Sequence, residues 1–143
     1  MQLKYLMEDY ANSNGYNELY TFSYFLNEYL RSLNKKKTDF SNDIGLHSAQ
    51  LSRLLNDKDR PSQKILVRLE LHSNNIISAI DWFRVYEKQK EAELLNNKEI
   101  RKEESKYVKN KLFYLQLPKN LTESETLAFS VAEPKVPYGK KRR

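Results

Sequence analysis

Residues 38–62 read TDFSNDIGLHSAQLSRLLNDKDRPS, and no other part of the chain says more about its structure. Two short helical runs flank Gly45, the first over about 38–44 and the second from His47 or Ser48 to Asn56. Gly45 supplies a turn that tolerates positive φ, because it has no Cβ to clash with the following carbonyl. Phe40, Ile44, Leu51, Leu54 and Leu55 are the apolar positions, and Gly45 and Leu46 form the tight connection. This spacing crosses two helices over one another and turns the polar face of the second outward. On that face stand Ser48, Ala49, Gln50, Ser52 and Arg53. Small side chains, an amide and a guanidinium suit the reading of base edges in a DNA major groove.

Working outward, residues 1–14 form an amphipathic helical pattern with Leu3, Leu6, Met7 and Tyr10 on one side, stopped by Asn14-Gly15. A helix over about 19–33 follows. Phe22, Phe25, Leu26, Tyr29, Leu30 and Leu33 recur at helical spacing as a core face, and Asn34 and three lysines end it. After the central pair, Pro61 falls near the first turn of a further helix, where its missing N–H costs nothing. Ile65, Leu66 and Leu69 face inward from it, with Leu71 as a further candidate, and His72-Ser73-Asn74-Asn75 is a polar turn. A long helix then starts near Ile76. Ile76, Ile77, Ile80, Phe83 and Tyr86 form its apolar stripe, with Trp82 alongside. Beyond Tyr86 the sequence becomes dense in charge and reads as a solvated helix that projects from the body, interrupted at Asn96-Asn97.

From Leu112 the character changes. LFYLQL, residues 112–117, has high β-propensity, and residues 127–131 form a second apolar run. The two pair as a hairpin, or Thr122 with Glu125 opens a short helix as a capping box; the residues leave both open. The end, KVPYGKKRR, reads as a basic disordered tail.

The chain has 143 residues, a net charge of +6 and no cysteine. Disulfides, thiolate metal sites and cysteine nucleophiles are therefore excluded. Two histidines, His47 and His72, lack partners at ligand spacing, so no metal and no cofactor is expected. His47 is expected to cap the second helix of the pair or to contact phosphate. His72 is expected to end its helix, where a cation suits the dipole. No phosphate loop and no nucleophile signature is present, so an enzyme is not expected. No run approaches a membrane span, and the N-terminus does not read as a signal peptide; a cytoplasmic location is the expectation. Residues 31–68 hold nine basic and four acidic side chains, a local charge of +5. Phosphate contacts typically flank a reading helix in this way.

The segment 22–72 resembles the helix-turn-helix of the Cro/C1-type repressors, the XRE family. The resemblance rests on Ile44-Gly45-Leu46, on Leu51-Ser52-Arg53-Leu54 and on Pro61-Ser62. Asp57 stands where the family often has Gly. The resemblance implies an all-α, lambda-repressor-like bundle of about five helices, extended here by the long charged helix and the C-terminal segment. With the composition changes on either side, the expected division is a helical extension over 1–18, a DNA-binding domain over 19–93, a charged helical extension over 94–111 and a C-terminal segment over 112–143. The resemblance implies that Ser48, Ala49, Gln50 and Arg53 meet base edges of double-stranded DNA. Lys37, Thr38, His47, Ser52, Lys58, Arg60 and Lys64 are the phosphate candidates. It also implies a homodimer on paired half-sites. The apolar surfaces that could form it are the Ile76 to Tyr86 stripe, with Ile76, Ile80, Trp82 and Phe83 as candidate contacts, and the segment 112–117, unless the stripe only closes the monomer's core. Through LSRLLNDKDRPS (51–62), ILVRLELHSNNIISAIDWFRVYEKQKE (65–91) and KEIRKEESKYVKNK (98–111), residues 24–111 look like the plasmid-maintenance HigA-like antitoxins, from which the chain departs by its extensions at both ends. That likeness implies a repressor of its own operon and a toxin protein as partner. A repressor without a toxin, and a protein-interaction module that no longer reads DNA, stay open beside it.

Overall fold

The computed structural model describes residues 1–113, and among them the chain is all α. The expectations placed on residues 114–143, including most of the 112–117 segment, the 127–131 run, the Thr122 and Glu125 capping box and the basic tail, lie outside the described residues. Seven α-helices follow in order: α1 Gln2–Asn12, α2 Phe22–Leu33, α3 Lys37–Asp43, α4 Ser48–Leu55, α5 Gln63–His72, α6 Ala79–Asn96 and α7 Lys98–Glu104, with a 3₁₀ turn at Ser105–Tyr107. No helix among the described residues is long and apolar enough to cross a membrane. The chain divides into two compact units, Met1–Lys98 and a second beginning at Glu99. In the second, α7 and the 3₁₀ turn bury no side chain.

The first unit is a helical bundle around α2. Phe22, Phe25, Leu26, Tyr29 and Leu30 are buried along one stripe of α2, as their spacing predicts. Leu51, Leu54 and Leu55 of α4 and Ile65, Leu66 and Leu69 of α5 close on the same core. Thr21 starts α2, its Oγ1 accepting a hydrogen bond of 3.0 Å from the Tyr24 amide, so the helix begins three residues later than its pattern suggested. Pro61 lies outside α5, which Ser62 caps by accepting from the Ile65 amide at 3.3 Å.

Four helices end alike. Asn34, Gly45, Asp57 and Asn74 all have left-handed φ. The next amide in each case reaches back five residues: Lys35 to Leu30 at 3.4 Å, Leu46 to Ser41 at 2.9 Å, Lys58 to Arg53 at 2.8 Å and Asn75 to Glu70 at 2.9 Å. This closure satisfies carbonyls that a helix end would leave bare. Only one of the four positions is glycine; Asn and Asp tolerate the conformation at modest cost.

Two expectations are corrected at α6. The helix starts at Ala79, not near Ile76: Ser73 Oγ accepts from the Ile77 amide at 3.0 Å, and Ser78 caps the helix through the Asp81 amide at 3.0 Å. Glu70 Oε1 also accepts from the Ala79 amide at 2.8 Å, setting a carboxylate at the positive end of α6. Ile76 and Ile77 therefore lie in a turn and do not share the helical period. Trp82, Val85, Gln89 and Ala92 face inward, whereas Ile80 and Phe83 are exposed. Leu71 is exposed as well. The charge-dense half of α6 does not project alone. It packs along α1, whose Met7 and Tyr10 are buried in the common core, so the N-terminal helix is part of the bundle. Lys88 fastens the pair, donating to the Tyr10 carbonyl at 2.5 Å and the Ser13 carbonyl at 2.9 Å, with its ammonium 4.0 Å from the Tyr10 ring centre. The interruption at Asn96-Asn97 is where α6 stops.

Candidate nucleic-acid interface

The turn between α3 and α4 is held from both sides. Gly45 has φ +67°, and Arg68 of α5 donates from Nη1 to the carbonyls of Ile44 at 3.2 Å and Gly45 at 3.1 Å. Those carbonyls follow the C-terminus of α3, where a cation is favoured. Sequence reasoning passed over Arg68. The signal was faint, a single arginine on a helix expected to be amphipathic.

From this turn α4 runs with Leu51, Leu54 and Leu55 buried and the opposite face open. Ser48, Ala49, Ser52 and Arg53 are exposed and Gln50 is half-buried, so the residues expected to meet bases share the outward side of one helix. No acidic residue lies within α4. His47 occupies the cap position, but its side chain makes no capping bond; it is exposed, which leaves only the phosphate expectation for it. Ser52 has a local partner, its Oγ accepting from Asn56 Nδ2 at 3.4 Å and its carbonyl from the same atom at 2.8 Å.

The flanks are basic and exposed. Lys37 and Thr38 open α3, Lys58 and Arg60 lie in the loop after α4, and Lys64 stands in the first turn of α5. Lys35 is different: its ammonium pairs with the Asp43 carboxylate. That contact, more than the neighbouring His72, holds the Asp43 carboxyl below its ordinary range.

Arg53 forms an ion pair, with Asp59 rather than Asp57: Nε is 3.5 Å from Asp59 Oδ2. Asp57, exposed and with φ +61°, turns its carboxylate to Gln89 instead. Its carboxylate accepts from Gln89 Nε2 at 3.1 and 2.9 Å, while Gln89 Oε1 accepts from the Phe22 amide at 2.8 Å. The buried Gln89 thus ties the start of α2 to the loop after α4. The Asp57 carboxylate therefore adds an anchor at a position that also adopts the left-handed turn.

His72 ends α5, as expected, and also closes a polar chain. The Tyr29 hydroxyl lies 2.7 Å from Nδ1, and Nε2 is 3.7 Å from the Asp43 carboxylate. Burial pushes the Tyr29 hydroxyl up to about 12.

Of the four candidate dimer contacts, Ile76, Ile80 and Phe83 are exposed. Ile80 and Phe83 line a shallow groove of about 310 Å³ with Leu66, Val67, Ala79 and Gln63. Trp82 is removed from the set. It is fully buried, with its ring centre 5.7 Å from those of both Phe22 and Tyr29. Among the described residues no group of three or more His, Asp or Glu side chains could hold a metal ion. Comparison with known protein families, curated proteins and solved structures gave no match.

Proposed function

We propose that this chain is a sequence-specific DNA-binding repressor that inserts α4 into the major groove of its operator as a homodimer. The observation that carries the reading is the outer face of α4. It is free of acidic residues, composed of the exposed Ser48, Ala49 and Arg53 and the half-buried Gln50, and flanked by Lys37, Lys58, Arg60 and Lys64. Arg53 bonds bidentate to a guanine and Gln50 to an adenine, and the Ala49 methyl meets a thymine methyl. Thr38, His47 and Ser52 add to the phosphate contacts of the lysines. The groove at Val67, Ile80 and Phe83 is the apolar contact that a dimer on paired half-sites needs. The likeness of residues 24–111 to HigA-like antitoxins adds a second layer: repression of its own promoter and neutralisation of a toxin protein.

The test is binding to a fluorescent duplex of the gene's own upstream region against a scrambled duplex, at two salt concentrations. Tighter binding to the upstream duplex at the higher salt, lost in Gln50→Ala with Arg53→Ala, supports the repressor. Equal and steeply salt-dependent binding to both reduces the charge to a sequence-independent footprint. Loss of all binding favours a protein-interaction module instead.

A further inference from the structure

Two carboxylates in the loop beside α4 run against the basic character of its flanks. Asp57 and Asp59 stand between Arg53 and Arg60, where each lowers the attraction for phosphate. Their contacts differ. Asp57 is bound by both oxygens to Gln89, a side chain 2% exposed that also holds the first amide of α2. The Lys58 amide closes the same loop onto the Arg53 carbonyl at 2.8 Å. Asp59 takes the Nε edge of Arg53 and accepts from the Arg60 amide through its other oxygen at 3.1 Å. Among the described residues Asp59 is the one partner of the Arg53 side chain. A chain of contacts thus runs from the core, through Gln89 and Asp57, along a loop of fixed conformation, to Asp59 and the arginine.

Resting on the reading of α4 as the base-contacting helix, we propose that Asp59 is a positioning residue for base recognition. It holds Arg53 by Nε and leaves the two terminal nitrogens, which make no hydrogen bond among the described residues, for the O6 and N7 edge of a guanine. An exposed pair of this kind adds little to stability. Its effect lies in binding: an arginine already ordered in the free protein loses less side-chain freedom on meeting its base. A correctly placed pair of terminal nitrogens also gains only from guanine, so the brace sharpens discrimination more than it raises affinity. The carboxylate simultaneously weakens binding to sequences that offer Arg53 no base partner, since there only its repulsion of phosphate remains.

The experiment uses the full chain and the upstream duplex. Base pairs are replaced singly to find the G·C pair whose loss weakens the wild type but not Arg53→Ala. The ratio of Kd on the replaced duplex to Kd on the intact one is then measured for wild type, Asp59→Asn, Arg53→Ala and the double variant. Asp59→Asn is expected to lower that ratio roughly twofold to tenfold, to bind scrambled duplex as well as or better than wild type, and to leave the ratio unchanged when Arg53 is already Ala. Thermal unfolding of each variant verifies that the fold is intact. Equal tightening on both duplexes overturns the proposal, since the carboxylate would then act only by repelling phosphate. A fall in the ratio that persists without Arg53 overturns it as well, assigning Asp59 to the loop's conformation. Specific binding with no pair read by Arg53 also rejects it while leaving the repressor intact. No preference of the wild type for upstream over scrambled duplex rejects the DNA-reading function itself and the brace with it.

Discussion

Arg53 and Lys37 separate two kinds of contact at the level of single side chains. Arg53→Ala is expected to cost about 1–3 kcal/mol on the specific site and to relax base preference there. Lys37→Ala should weaken specific and random duplex alike and reduce the slope of log K against log salt by about one. Titrating the variants on both duplexes at several salt concentrations checks the pair; an equal loss on both duplexes for Arg53→Ala would refute base reading by Arg53. Tyr29 gives a prediction in pH. Its hydroxyl is raised from 10.0 to about 12 by burial, so the neutral form is favoured in the folded state. The stability this contributes is complete below pH 10 and is lost as pH rises through 12. Urea unfolding of wild type and Tyr29→Phe across this range should show the variant's stability falling less steeply. Parallel slopes would mean that the hydroxyl is as free to ionise in the fold as in the unfolded chain.

Elements depend on a few residues at their ends. Gly45 has φ +67°, and a Cβ there would meet Arg68 Nη1 at an ordinary 3.6 Å. Gly45→Ala is therefore a conformational cost without a clash, about 1–2 kcal/mol of stability by chemical denaturation. No loss at all would mean that the turn adopts another conformation. Gln89 joins three elements at once. Gln89→Leu keeps much of the volume but leaves the Phe22 amide and the Asp57 carboxylate without their partner, at a cost of about 1–3 kcal/mol. These elements were unevenly legible. The α3 and α4 pair, the α2 stripe and the stop at Asn97 could be read locally, because apolar spacing and end signals lie within a few residues of one another. The start of α6 could not. Ile76 and Ile77 look continuous with Ile80 until the Ser73 and Ser78 hydroxyls claim the amides of Ile77 and Asp81.

Across the whole molecule, the division between core and surface decides what Trp82 and its neighbours do. Trp82→Ala is expected to remove about 3–5 kcal/mol by opening the centre of the monomer, whatever the protein concentration. Ile80→Glu with Phe83→Glu should leave monomer stability nearly unchanged while lowering the apparent mass in sedimentation and weakening operator binding. A double variant that stays dimeric would place the dimer contact elsewhere. The sequence by itself determined the helical class, the Gly45 turn, the buried stripes of α2 and α4 and the charge of the exposed face around α4. All of these rest on period and composition, which neighbouring residues impose on one another. Only the tertiary structure decided that α1 belongs to the core, that Gln89 and Ala92 are buried in a charged segment, and that Arg68 and Asp57 hold the turns at the two ends of α4. Those outcomes depend on which helices meet, and a polar side chain carries no periodic signal until its partner, dozens of residues away in the chain, is in place.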